Sequence, residues 1–265
     1  MIIVGELING TRDEVAAAVR SRDADLIAEL ARRQAEAGAD YIDCNSGRIG
    51  EAEAEDLAWL VGIVQAATDR PVSLDSANPY AIAAGLAQWE GGAPPLINSM
   101  TPDEEQEALV LPMVVESGAS VIALAEDIGA ADDAAGRTAV AVDLVERITA
   151  AGVEPERIFV DPVVSPLSTA TDAPRQACEA MALIRRELPG CHVICGLSNV
   201  SYGLPGRRLL NRIFLAQAIA SGLDAAILDP LDRETMSTIY AAEALAGRDE
   251  WCLGYINAHR DGLLD

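Results

Sequence analysis

The chain has 265 residues, half of them apolar, and a formal charge of −23. That charge opposes binding to nucleic acid or anionic membranes, which both call for a basic surface, and no stretch approaches the roughly 20 uninterrupted apolar residues of a membrane span. All 19 basic residues are arginine, so Schiff-base aldolase and pyridoxal-phosphate chemistry, which use a lysine amine, are excluded.

From Met1 the sequence enters the strand-like IIVGELI, without the basic region or cleavage site of a signal peptide, so a cytoplasmic protein is expected. Apolar β-rich runs predict strands at 2–8, 41–45, 71–76, 95–99, 120–126, 158–163, 192–198 and 225–229. Helical patterns follow at 22–37, 53–68, 79–89, 104–118, 138–151, 173–188, 209–222 and 234–246. The 53–68 segment sets Leu57, Leu60, Val61 and Val64 on one helical face. Gly38, Gly118, Gly152 and Gly222 each stand where a helix gives way to a strand, the favoured place for glycine just past a helix end. Eight such units, with strands apolar on both sides, fit a closed (β/α)8 TIM barrel better than an open sheet. No glycine-rich dinucleotide loop follows the first strand. One domain is expected, with residues 248–265 as a tail or capping segment.

The five cysteines, Cys44, Cys178, Cys191, Cys195 and Cys252, have no scaffold-like spacing and read as reduced thiols. Cys191-His192…Cys195 has zinc-ligand chemistry, but HVICGLS reads as a buried strand and no metal site is assigned.

The predicted strands end alike. Glu6 and Asn9 close the first, Asp43 and Asn45 the second, Asp75 and Ser76 the third, Asn98 and Ser99 the fourth. Glu126 and Asp127, Asp161, Ser198 and Asn199, and Asp229 close the rest. In this fold the active site lies at these ends. Any one Asp or Asn there has an alternative role as a cap for the following helix. As a set, carboxylates and carboxamides suit a neutral, nitrogen-rich heterocycle, because carboxylates accept N–H bonds and amides both donate and accept. With Arg207 as the one nearby cation candidate, the set is poorly built for phosphate.

At the same positions the sequence resembles the pterin-binding family, which contains dihydropteroate synthase and the methyltetrahydrofolate methyltransferases. GELING at 5–10, DCNSG at 43–47, SLDSAN at 73–78, INSMT at 97–101, DP at 161–162 and GLSNVSYGLPGRRLLNRIFL at 196–215 carry the likeness, which covers essentially the whole chain. SNVS followed by LLNR is most similar to the methyltetrahydrofolate:corrinoid protein methyltransferases and to the folate domain of cobalamin-dependent methionine synthase. The resemblance implies that Asp75, Asn98 and Asp161 bind the pterin, that Gly196 and Ser198 shape its wall, and that Asn199 lies near N5. Asn199, Asp75 and Asp161 are thereby the catalytic candidates, and Tyr202 and Arg207 sit in the loop that meets substrate or corrinoid. It further implies tetrahydrofolate or methyltetrahydrofolate as substrate, cobalamin carried by a partner corrinoid protein, and a homodimer. Dihydropteroate synthase fits less well, since the Ser-Arg-Lys motif it needs after strand seven reads Ser198-Asn199-Val200 here. A non-catalytic pterin-binding module is the other alternative, and the sequence leaves the direction of methyl transfer open.

Overall fold

The computed structural model describes residues 1–126 and 133–264. Eight parallel strands form one sheet in the order β7-β6-β5-β4-β3-β2-β1-β8. They are β1 (Ile2–Asn9), β2 (Tyr41–Asn45), β3 (Val72–Asp75), β4 (Leu96–Met100), β5 (Ser120–Leu124), β6 (Ile158–Asp161), β7 (His192–Val193) and β8 (Ala225–Leu228). The two edges meet through the Ile227 amide on the Cys195 carbonyl (3.0 Å) and the Asp224 amide on the Val193 carbonyl (3.1 Å). The sheet is therefore a closed barrel, which leaves no edge strand exposed.

The helices are α1 (Asp13–Ser21), α2 (Ala24–Glu36), α3 (Glu51–Ala67), α4 (Pro79–Gln88), α5 (Glu104–Ser117), α6 (Ala134–Ala150), α7 (Ala173–Glu187), α8 (Arg207–Ala220), α9 (Arg233–Leu245) and α10 (Leu253–Arg260). Leu57, Leu60, Val61 and Val64 of α3 are buried against the barrel, as their spacing predicts. Gly38, Gly118, Gly152 and Gly222 adopt φ of +97°, +71°, +95° and +115° at the helix-to-strand turns, where a Cβ would be strained. Two segments depart from expectation. Helix α1 falls between the strand expected at 2–8 and the helix expected at 22–37, where no element is predicted, and β7 stops at Val193 rather than 198 because residues Leu197–Ser201 curl into a 3-10 turn. Within residues 248–264 the chain forms a short 3-10 turn and α10, which packs on α9.

Two apolar clusters divide the core. The larger fills the space between strands and helices. The smaller, Val4, Leu96, Ile122, Phe159, Ile194 and Ala225 with Ile2, Tyr41 and Ile227, plugs the inside of the barrel. Strand side chains alternate between faces, so the residues two further along point inward one layer above this plug. Those residues are Glu6, Asn98, Leu124, Asp161, Gly196 and Asp229, while Asp43 is in register with Ser73 and Leu96, one step below Asp75 and Asn98. The polar row is thus the next layer of the barrel interior.

Candidate active site

The helices that follow the strands take their N-caps from elsewhere. Asp23, Asn78, Asp103, Asp133 and Asp232 cap α2, α4, α5, α6 and α9, each accepting an amide N–H of the first turn. None of the strand-end residues serves this purpose among the described residues, so capping does not explain the row.

The row divides by partner. Asn9, Asn45, Asp161 and Asp229 each accept the amide N–H two residues on, from Thr11 (2.9 Å), Gly47 (2.7 Å), Val163 (2.8 Å) and Leu231 (2.9 Å). Such turns fix the side chain and leave its other polar atom available for a further partner. Glu6, Asp43, Asp75 and Asn98 are instead tied to other side chains. Asn45 Nδ2 donates to Asp75 Oδ2 (2.8 Å), Ser73 Oγ to Asp43 Oδ1 (2.6 Å), Asn98 Nδ2 to Asp43 Oδ1 (3.4 Å) and Ser198 Oγ to Glu6 Oε1 (2.8 Å). Asp75 and Asn98 are directly opposite in the β3–β4 register. With its amide nitrogen turned to Asp43, Asn98 keeps its carbonyl oxygen for a donor above.

Asp161 is buried, and desolvation pushes its carboxyl up to about 7 against the Val163 amide and the Arg137 charge, which lower it. Arg137, buried on α6, donates to the carbonyls of Pro162 and Val163 and so buttresses the turn beyond β6. Val163 there has φ +61°, costly for a β-branched residue and held by these bonds. Burial also raises Glu6, with Asp229 adding to the rise and Ser198, Arg12 and Arg207 opposing it.

After β7, Asn199 is exposed at the mouth, and its carboxamide lies over Gly196, where a Cβ would come within 3.0 Å of its nitrogen. Arg207 clamps this turn from α8, donating to the Ser198 carbonyl (2.7 Å) and Ser201 Oγ (3.0 Å). Tyr202 is 68% exposed, and its carbonyl is held by Ser168 Oγ from the neighbouring loop (2.8 Å). Glu126 is exposed, and Asp127 lies outside the described residues. His192, which starts β7, is stacked on Phe159 in the plug and paired with Asp224, away from the mouth. Cys191 and Cys195 are packed in the larger apolar core.

The structure thus gathers Asp75, Asn98, Asp161, Gly196, Ser198 and Asn199 at one end of the barrel. It adds three residues that the sequence left without a role or unmentioned. Glu6 is joined to Ser198, Asp43 lies beneath Asp75 and Asn98, and Ser73 supports Asp43. Ser73 carried a signal, since it precedes Asp75 by two and so shares the inward face. Arg137 carried none, because it arrives from a helix.

Comparison with known proteins identifies the fold and the family. Dihydropteroate synthase structures from Yersinia pestis and Xanthomonas albilineans share the fold, with TM-scores of 0.70 and 0.65, 19% and 20% identity, and 92–93% of each chain covered. A methylcorrinoid:tetrahydrofolate methyltransferase of Eubacterium limosum is 34% identical over 100% of this chain and 98% of its own length. Methionine synthase of Mycobacterium tuberculosis is 27% identical over 86% of this chain, which spans 20% of that larger protein. Residues 5–229 match the family described as pterin binding enzyme, and the chain belongs to that family.

Proposed function

We propose that the chain moves a methyl group between N5 of methyltetrahydrofolate and the cobalt of a corrinoid carried by a partner protein. The observation that carries this reading is the chemistry of the mouth: Asp75, Asn98 and Asp161 offer acceptors to a pterin's amino and ring N–H groups, while lysine is absent from the chain. Asn199, set over Gly196, is the residue for N5. The corrinoid supplies or takes up the methyl group at its cobalt. As a methyl–N5 bond forms, N5 becomes positive and must release its proton; in the reverse direction N5 leaves as a good amine only when it is protonated or hydrogen-bonded. Asn199 holds N5 through this change, and Asp75, Asp161 and water relay the proton. Glu6, buried and tied to Ser198, extends that relay on the β1 side. Arg207 shapes the Ser198 turn, and the exposed Tyr202 stands on the rim that a corrinoid protein must approach.

The name of the Eubacterium limosum relative puts the methyl on tetrahydrofolate, and we adopt that direction; one transition state serves both. Dihydropteroate synthase is disfavoured because no lysine is available to stabilise a departing pyrophosphate. The chain forms one barrel domain and works as a cytoplasmic homodimer. Exposed Leu209 and Ile213 on α8, Leu245 on α9, Trp251 beyond it, and Leu253 and Ile256 on α10 support that assembly. Five unpaired cysteines support the reducing compartment. No helix among the described residues is long and apolar enough to cross a membrane.

Absorbance of cob(I)alamin and methylcobalamin tests the reading in both directions with the purified chain. Folate-dependent interconversion supports it. Folate binding without transfer to free or protein-bound corrinoid would make the chain a storage or delivery module. Condensation of a pterin pyrophosphate with p-aminobenzoate would make it a synthase.

A further inference from the structure

We propose that Asp43 is a positioning residue for the pterin, fixing through its hydrogen bonds which atoms of Asp75 and Asn98 face the substrate. The inference rests on the reading that a folate lies against Asp75 and Asn98.

Asp43 is 1% exposed and sits in the middle of β2, one layer below the mouth. It is in register with Ser73, two residues before Asp75, and is surrounded by the site's own side chains. Its Oδ1 accepts from Ser73 Oγ at 2.6 Å and from Asn98 Nδ2 at 3.4 Å. Its carboxyl neighbours that of Asp75 on the adjacent strand, and each carboxyl acts on the other's proton affinity. Two buried carboxyls this close share one proton, because a second negative charge has neither solvent nor a cation to offset it.

The partners decide where that proton rests. Asp75 receives a hydrogen bond from Asn45 Nδ2 at 2.8 Å, is nearer the mouth, and is the less buried of the two. Burial and the Asp75 charge together raise Asp43 well above the carboxylate range; burial raises Asp75 less, because the hydrogen bonds from Asn45 and Asp43 oppose it. The proton therefore stays on Asp43, which donates it to Asp75. Asp75 is kept as the anion, and its remaining lone pairs accept N–H bonds from the pterin. On the other side, Asp43 Oδ1 holds the amide nitrogen of Asn98, so the Asn98 carbonyl is presented upward. Without Asp43 the carboxamide is free to flip and offer a donor to a donor.

This role needs one donor and one acceptor at position 43, not an acid. Asp43→Asn supplies both in nearly the same shape, whereas Asp43→Leu supplies neither. We expect Asp43→Leu to weaken methyltetrahydrofolate binding about 100-fold by calorimetry, because Asp75 and Asn98 each lose a buried partner. KM should rise by more than kcat falls, since the pterin loses the same contact in the ground and transition states. Asp43→Asn should recover most of the loss, to within about tenfold of the unsubstituted chain on the same scale. Ser73→Ala, a smaller change that removes one support of Asp43, should cost about fivefold and serves where Asp43→Leu does not fold. Loss in Asp43→Asn as large as in Asp43→Leu would overturn the proposal, as would undiminished binding in Asp43→Leu or Ser73→Ala. If the unsubstituted chain binds no folate, the pterin reading itself fails, a result separate from the comparison among variants.

Discussion

Replacing Asp161 by asparagine should make the stability of the barrel less sensitive to pH. The Asp161 carboxyl stands at about 7 in the folded chain against an ordinary value of 3.8, chiefly because it is buried. A carboxyl raised by folding stabilises the fold most where it is protonated, below its unfolded value, and that contribution is lost as pH rises through the folded value. The loss spans pH 3.8 to about 7 and amounts to roughly 4 kcal/mol, at ~1.4 kcal/mol per pKa unit over the three-unit gap. Asparagine keeps the acceptor for the Val163 amide and has no charge to bury, but its NH2 must find a partner at a cost of ~1–3 kcal/mol. Asp161→Asn should therefore melt below the unsubstituted chain near pH 5 and at or above it at pH 8. Between those points the difference should change by ~3 kcal/mol, or roughly 5–10 °C for a chain of this size. Paired thermal melts by circular dichroism from pH 5 upward, above the sequence pI of about 4.3, measure that change. Melting curves that stay parallel across the range would refute the reasoning, since Asp161 would then be ionised throughout or solvated in the fold. Methyltetrahydrofolate affinity should fall in the same variant, because the amide offers an N–H where the pterin needs an acceptor.

Asn199→Ala should lower kcat for methyl transfer by ~100-fold or more while methyltetrahydrofolate binding weakens only a few-fold; equal losses in the two measurements would remove Asn199 from N5. Gly10→Ala should destabilise the fold by ~3 kcal/mol or more and lower Tm accordingly, because its Cβ would clash with the Ser46 carbonyl oxygen, which is backbone and cannot step aside. Gly62→Ala on α3 is the contrast: its Cβ meets Gln88 at an ordinary 3.5 Å, so helix propensity should stabilise it by ~0.5–1 kcal/mol. Trp251→Glu should leave a monomer by light scattering without loss of helical signal, and an unchanged dimer would move the interface off this face.

Much of the fold was legible because strands of a closed parallel barrel are apolar on both faces and punctuated by glycine turns. Those signals are local. Strand seven was read too long because Ile194 and Cys195 are as apolar as strand residues; what ends the strand is the Ser198–Ser201 turn, held by an arginine from α8. Helix α1 was missed because it is short and acidic at its start, and only packing of Val15, Ala18 and Val19 gives it a buried face. Asp75, Asn98, Asp161 and Asn199 were found through resemblance. Polarity and position alone marked Glu6, Asn9, Asp43, Asn45 and Asp229 equally. Only partner atoms separate them, and partners such as Ser73 with Asp43 or Ser198 with Glu6 are 30 and 192 residues apart in the chain.

That separation exposes a physical tension in the site. Burial raises Glu6, Asp43, Asp75 and Asp161 together, and the arginines that oppose it act from the edges, Arg12 and Arg207 on Glu6 and Arg137 on Asp161. A lysine among them would relieve the charge, but it would also place a donor where the pterin brings its own donors. The barrel instead raises the proton affinity of these acids, and Asp161, at about 7, is largely protonated below neutral pH. A folate that donates N–H bonds favours the anionic form of Asp161, and its binding should release protons near neutral pH. The cost of burying the carboxylate is then offset by the ligand in the bound state, while the free enzyme bears it alone. The acids above the apolar plug should for that reason be poor for stability and good for recognition, with Asp161 contributing in opposite senses to the two.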